Sequence, residues 1–140
     1  MAGYSGTPLA QKLGIKPGAT VVLINPPADY QKLLGSSASD VQFKSRAGAE
    51  AGFIHFFTRR RIELEKQLTQ LRTKLADSGT LWVSWPKKSA GVPTDVTEDV
   101  IRAVALPLGF VDTKVCAVDE TWSGLKLMIR RTNRRSTITK

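Results

Sequence analysis

The chain has 140 residues but only one cysteine and one histidine. A lone Cys116 excludes an internal disulfide. It lies in the apolar run VDTKVCAVD and reads as a small core residue. A lone His55 excludes the histidine-rich ligand sets of zinc sites, and no group of His, Cys, Asp and Glu has metal-ligand spacing. It also leaves any Ser-His-Asp or Cys-His arrangement resting on one residue in the middle of FIHFF, Phe53–Phe57. That is an apolar strand and not a strand end, so His55 reads as a buried, hydrogen-bonded core histidine. Apolar runs of the ~20 residues that cross a bilayer are missing. The opening MAGYSGTPLAQKLG has no basic start and no long apolar stretch, so no secretory leader is read there. A cytoplasmic location with no membrane partner is expected. There is no internal repeat. Acids are few, with 12 Asp and Glu against 21 Lys and Arg, giving a net charge of +9.

What is present suits one globular domain. Hydrophobic residues make up 41% and charged residues 24%, so a core can form without staples. The expected division is a single α/β domain over residues 1–131 and a basic tail over residues 132–140. The segment RRTNRRSTITK, Arg130–Lys140, takes five of the nine net positive charges and leaves the rest of the chain at +4. Arg130, Arg131, Arg134 and Arg135 are candidate contacts for nucleic acid or an acidic partner, bound through charge and without sequence preference.

Periodicity places the elements. Pro8 to Gly14 is a short helix with Thr7 as its cap. TVVLI, Thr20–Ile24, is continuous, apolar and β-branched, the mark of a strand buried on both faces. Asn25-Pro26-Pro27 stops it, because proline cannot donate to a ladder. Asp29 to Leu34 is a turn or two of helix. Val41 to Ser45 is a weak strand, and Arg46 to Gly52 reads either way. After the Phe53–Phe57 strand, Arg60 to Ala76 is the clearest helix, with Leu64, Leu68, Leu71 and Leu75 on one stripe. Asp77-Ser78-Gly79 ends it. Thr80 to Trp85 is a third buried strand. Asp95 to Leu108 is a helix capped by Thr94, with a stripe of Val96, Val100, Val104 and Leu108. Val111 to Val118 and Leu125 to Arg131 are the last strands. Strands alternating with helices give an open, mostly parallel twisted α/β sheet with helices on both faces and a C-terminal antiparallel strand. Leu125 to Ile129, if it forms an apolar edge, could pair in a dimer.

Several stretches resemble class I methyltransferases. LGIKPGATVVLI is similar to the run into their first strand. LTQLRTKLADSGTLWVSW resembles a later helix and strand, and LGFVDTKVCAVDETWSGLKLMIRR their final antiparallel pair. Over nearly its full length the chain resembles a family of small bacterial proteins of unknown function with a methyltransferase-like fold, most closely in WPKKSAGVPTDVTEDV and VCAVDETWSGLKL. The resemblance implies a reduced Rossmann-like fold, and it makes an S-adenosylmethionine-dependent methyltransferase the nearest enzyme. The chain departs from that family at LINPPADY. Leu23 stands where an acid would be, and Asn25 and Pro27 replace the glycines that let a backbone approach the cofactor. No acid follows the second strand, and the region from Tyr30 to Phe53 is short for a helix and strand of that family. S-adenosylmethionine is therefore not expected as a cofactor, and no catalytic residue is assigned.

Open α/β sheets bind ligands beyond the carboxyl ends of their strands. There the sequence places Asn25, Pro26 and Pro27, then Thr58, Arg59, Arg60 and Arg61, then Trp85, Pro86, Lys87, Lys88 and Ser89, then Asp119, Glu120 and Trp122. The candidate ligand contacts among them are Asn25, Arg59, Arg61, Trp85, Lys87, Lys88, Ser89, Glu120 and Trp122. The set is rich in cations, so a small anionic ligand is expected, bound without catalysis. Arg59 to Arg61 open a helix, where the dipole disfavours positive charge by roughly 0.3–1 kcal/mol per exposed residue. Either a bound anion or Glu63 and Glu65 offsets this. Arg59 and Arg61 are expected to point differently from Arg60. Lys87-Lys88-Ser89-Ala90-Gly91 lacks the spacing of a nucleotide-hydrolase phosphate loop. Trp85 and Trp122 are stacking faces for a planar ligand or packing residues. Asp119 and Glu120 alternate across an extended chain and read as partners for nearby cations. The alternatives to anion binding are nucleic-acid or acidic-partner binding through the tail, and a reduced methyltransferase.

Overall fold

The computed structural model describes residues 8–134. Six strands form one sheet in the order β2-β1-β3-β4-β6-β5. They are β1 (Thr20–Ile24), β2 (Gln42–Lys44), β3 (Ala51–Phe57), β4 (Leu75–Pro86), β5 (Phe110–Ala117) and β6 (Trp122–Ile129). The first four run parallel. β6 is antiparallel to both β4 and β5. The expected α/β class, mostly parallel with an antiparallel C-terminal strand, is what the chain forms.

Helices α1 (Leu9–Leu13) and α2 (Tyr30–Leu34) pack on one face, and α3 (Arg61–Lys74) and α4 (Glu98–Ala105) on the other. Each strand feeds both layers because successive side chains alternate. In β4, Leu81 and Val83 join the α3–α4 layer, while Trp82 faces α1 and donates from Nε1 to the Leu13 carbonyl at 2.8 Å. The stripe Leu64, Leu68, Leu71 and Leu75 is fully buried as its spacing requires.

Four local expectations are corrected. Asp77-Ser78-Gly79 does not close α3, because the chain turns extended at Leu75 and continues as β4. Leu75 pairs with Ala51, and the register then shifts before Phe53 meets Thr80. Gly79 is required there, since a Cβ would lie 2.8 Å from Leu75 Cδ1 and 2.9 Å from the Ala51 carbonyl. The cap of α4 is Thr97, whose hydroxyl accepts from Val100 N, and not Thr94. Helix α4 therefore starts later than its charge pattern suggests. Ile101 and Ala105 take its most buried positions, and Val100, Val104 and Leu108 are only partly buried. Finally, Leu125–Ile129 is no edge, because β6 bonds to a strand on either side. The edges are β2 and β5.

The chain after β6 stays on the domain as far as it is described. Arg131–Asn133 form a short 3-10 helix, and Arg130 N donates to the Gly109 carbonyl at 2.7 Å. Among the described residues no helix is long and apolar enough to cross a membrane. Thr7 and Arg135 lie outside the described residues.

Candidate functional site

The strand order reverses at β1. Its successor β2 lies on one side of it and β3 on the other. Helix α2 leaves β1 towards one face and α3 leaves β3 towards the opposite face. Two connections that diverge this way open a crevice at the strand ends. A cleft of about 570 Å³ lies there. The turn after β1 gives it Asn25, Pro26 and Pro27, the end of β3 gives Phe57 to Arg60, α3 gives Ile62 and Glu63, and the start of β6 gives Trp122.

Glu63 is the best-held group in it. Thr58 Oγ1 donates to its Oε1 at 2.6 Å, and Asn25 Nδ2 donates to its Oε2 at 2.8 Å. Asn25 reaches it from a left-handed backbone, φ 57°, which asparagine tolerates better than most residues. The carboxylate so ties the ends of β1 and β3 to the first turn of α3.

The arginine run is resolved locally. Asp95 lies well outside α3 but accepts Arg61 N at 2.7 Å, and so caps the helix from the loop before α4. Arg61 Nε pairs with Glu65 at 3.1 Å. Arg59 is pinned by its main chain, its carbonyl accepting from Asp95 N and from the Thr94 hydroxyl. Its guanidinium and that of Arg60 have no ion pair among the described residues. Both residues line the cleft, and Arg61 does not. Two of the three arginines thus line the cleft, and the pair is Arg59 with Arg60 where the sequence grouped Arg59 with Arg61. Arg60 is still extended as the residue before the helix, and the helix begins only at Arg61.

Of the residues singled out from the sequence, Asn25, Arg59 and Trp122 meet in this cleft. Trp85 is buried in the core beside Leu81 and Val83, so it offers no stacking face. Lys87, Lys88 and Ser89 follow β4 into a short 3-10 turn and do not line this cleft. Neither does Glu120, which is exposed. Among the described residues Asp119 makes no ion pair. Its Oδ1 accepts Thr121 N and Trp122 N, each at 2.8 Å, and this shapes the turn that presents Trp122. Thr58 and Arg60 stood at the strand end without being chosen as ligand contacts, and Glu63 was missing from the strand-end set. Glu63 read only as a helix-dipole partner, because nothing local shows that Thr58 and Asn25 converge on it.

Below the cleft floor runs a buried polar chain. Phe57 contacts Trp122 edge-on, with centroids 5.0 Å apart, and stacks on His55 at 4.3 Å. His55 Nδ1 is 2.8 Å from the Tyr30 hydroxyl, and Nε2 is 2.7 Å from the Ser84 hydroxyl. Burial lowers His55 to a pKa of about 3, so the ring is neutral. Burial also raises Tyr30, with the nearby Cys116 adding to it. Burial raises the Cys116 thiol, partly opposed by Lys12 and Lys114. No base approaches Cys116 from His55, whose two nitrogens are engaged. Among the described residues no group of His, Cys, Asp and Glu could hold a metal.

Arg130 and Arg134 reach main-chain carbonyls. Arg134 Nε donates to Ile129 O at 3.1 Å, and Arg130 Nη2 reaches Phe110 O at 3.5 Å. Arg72 donates to Leu108 O close by.

An open sheet of this order, with a final antiparallel pair and a switch-point cleft, defines a Rossmann-like domain of methyltransferase type. Solved structures agree. A SAM-dependent methyltransferase from Aquifex aeolicus superposes with a TM-score of 0.61 at 16% identity, covering 86% of this chain and 87% of its own. A ribosomal protein L11 methylase from Lactobacillus delbrueckii subsp. bulgaricus gives 0.52 at 10% identity, covering 87% and 75%. At these identities the likeness is one of fold. Residues 10–131 match the family described as Protein of unknown function (DUF3052), and the chain belongs to that family. No curated protein matches it.

The residues after β1 do not fit S-adenosylmethionine in the way a glycine-rich turn would. Pro26 and Pro27 have no N–H to donate and carry rings into the cleft. The Asn25 side-chain amide is committed to Glu63.

Proposed function

We propose that this chain is a non-catalytic binding domain that takes a small anionic ligand in the cleft between the ends of β1 and β3. One observation carries the reading. Arg59 and Arg60 line a switch-point cleft with no ion pair on either guanidinium among the described residues. Guanidinium forks match carboxylate and phosphate oxygens, and the bond is charge-assisted. The volume lies within the range of small-molecule sites. The main chain of Arg59 is fixed by Thr94 and Asp95, so part of the ordering cost of binding is already met.

The test is thermal unfolding against a panel of nucleotides, acyl-coenzyme A and simple carboxylates. A ligand that binds the native state at a hundred times its Kd adds about 2.7 kcal/mol. The reading expects at least one panel member to raise the Tm, the rise to vanish in Arg59→Ala/Arg60→Ala, and the rise to survive in Lys87→Ala/Lys88→Ala. A rise that depends on the lysines and ignores the arginines sinks it.

A further inference from the structure

We infer that this cleft selects anions that also carry a hydrogen-bond donor, an ammonium or a hydroxyl, beside an apolar body. The inference rests on the anion reading and narrows its ligand class. The cleft holds charge of both signs without a direct ion pair between them. Glu63 lines it together with Arg59 and Arg60, yet no ion pair joins the carboxylate to either guanidinium. The Glu63 bonds come instead from Thr58 and Asn25, one to each oxygen. A carboxylate offers about four acceptor positions, so each oxygen keeps one. A plain anion drawn in by the arginines would meet the Glu63 charge unrelieved. A ligand with a donor near its anionic group relieves it and fills those positions.

The remaining wall sets the body of the ligand. Ile62 is 73% exposed at the cleft, and half-buried Trp122 lines it too, over the buried ring of Phe57. Apolar walls with a few fixed polar groups are the usual build of a small-molecule site. The network is also held in place. Asn25 comes from a left-handed turn, and Thr58 is buried and also bonds the Arg60 main chain. The acceptor therefore does not reorganise when a donor arrives.

Four probes on one indole ring separate the contributions: L-tryptophan, indole-3-lactate, indole-3-propionate and tryptamine, titrated by calorimetry. L-Tryptophan, indole-3-lactate or both should bind about tenfold or more tightly than indole-3-propionate, as a charge-assisted hydrogen bond implies. Which of the two leads tells ammonium from hydroxyl. In Glu63→Gln the advantage over indole-3-propionate, read within the same variant, should shrink to about twofold or less. A cooperative thermal unfolding transition shows that the variant is folded. Arg59→Ala/Arg60→Ala should weaken all three acids. Equal binding of the three acids to the unaltered chain overturns the donor inference and leaves the anion reading standing. A donor advantage that survives Glu63→Gln overturns the role of Glu63. If no acid binds in an arginine-dependent way, or tryptamine binds best, both readings fail.

Discussion

Ser84 Oγ lies 2.7 Å from His55 Nε2, joining the C-terminal part of β4 to β3 inside the core. With Tyr30 of α2 on the other nitrogen, the imidazole of β3 is held from two further elements at once. A cation there would have no carboxylate beside it, and burial alone keeps the ring neutral, with a pKa of about 3 against 6.5.

That difference sets an acid sensitivity. Above pH 6.5 the ring is neutral in both folded and unfolded chains, so His55 adds no slope. Below it the unfolded chain takes up a proton that the folded chain refuses. Stability then falls with decreasing pH by up to about 1.4 kcal/mol per unit, down to about pH 3. Urea unfolding from pH 7 to pH 4 should show this slope, and His55→Gln should flatten it while lowering stability at pH 7. An equal slope in both chains would assign the acid lability to carboxylates instead.

The two threonines before α4 should separate stability from binding. Thr97→Ala removes the hydroxyl that accepts Val100 N, at a cost of about 1 kcal/mol, and should leave the cleft alone. Thr94→Ala removes the donor to Arg59 O. It should cost a similar amount and also weaken anion binding, because the backbone of a cleft residue is released. Equal binding by the two variants would count against the clamp.

Gly79→Ala should cost roughly 1–3 kcal/mol. The new methyl meets the Ala51 carbonyl, which is main chain and cannot rotate away. Chemical denaturation reads this directly. A neutral result would mean that the register shift beside Ala51 absorbs the group.

Leu68→Ala should cost about 2–5 kcal/mol. Leu68 is fully buried in the middle of the α3 stripe, among Ile54, Leu81 and Ile101 on the same side of the sheet. Lys66→Ala on the exposed face should change stability little, and the contrast between the two is the check.

Cys116 should react with iodoacetamide at pH 7.5 more slowly than a free thiol, since burial raises its pKa and so suppresses the thiolate. Reaction at the free-thiol rate would mean that β5 opens readily at the sheet edge.

Most of the layer architecture was legible from local pattern. TVVLI and FIHFF can only be strands covered on both sides, and the leucine stripe can only be the buried face of α3. The boundaries that failed did so for tertiary reasons. Leu75 leaves the helix early because Ala51 offers it a ladder partner, and no helix propensity records that. Thr94 has the chemistry of a cap, yet its hydroxyl is taken by Arg59. The site was half legible. The strand-end rule found Asn25, Arg59 and Trp122. It could not tell that the lysines after β4 lie beyond the cleft, or that Thr58, Glu63 and Asn25 close on one another, because those three come from separate elements.

The interior place of β6 has a consequence for synthesis on the ribosome. β5 leaves the exit tunnel before its partner, since among the described residues it pairs with β6 alone. β4 waits with one bare side until the same segment arrives. A nascent chain stalled at Thr121 therefore presents two unsatisfied strand edges together, and such edges invite other chains. The eight residues Trp122–Ile129 close both, so the last strand to be made is the keystone of the sheet.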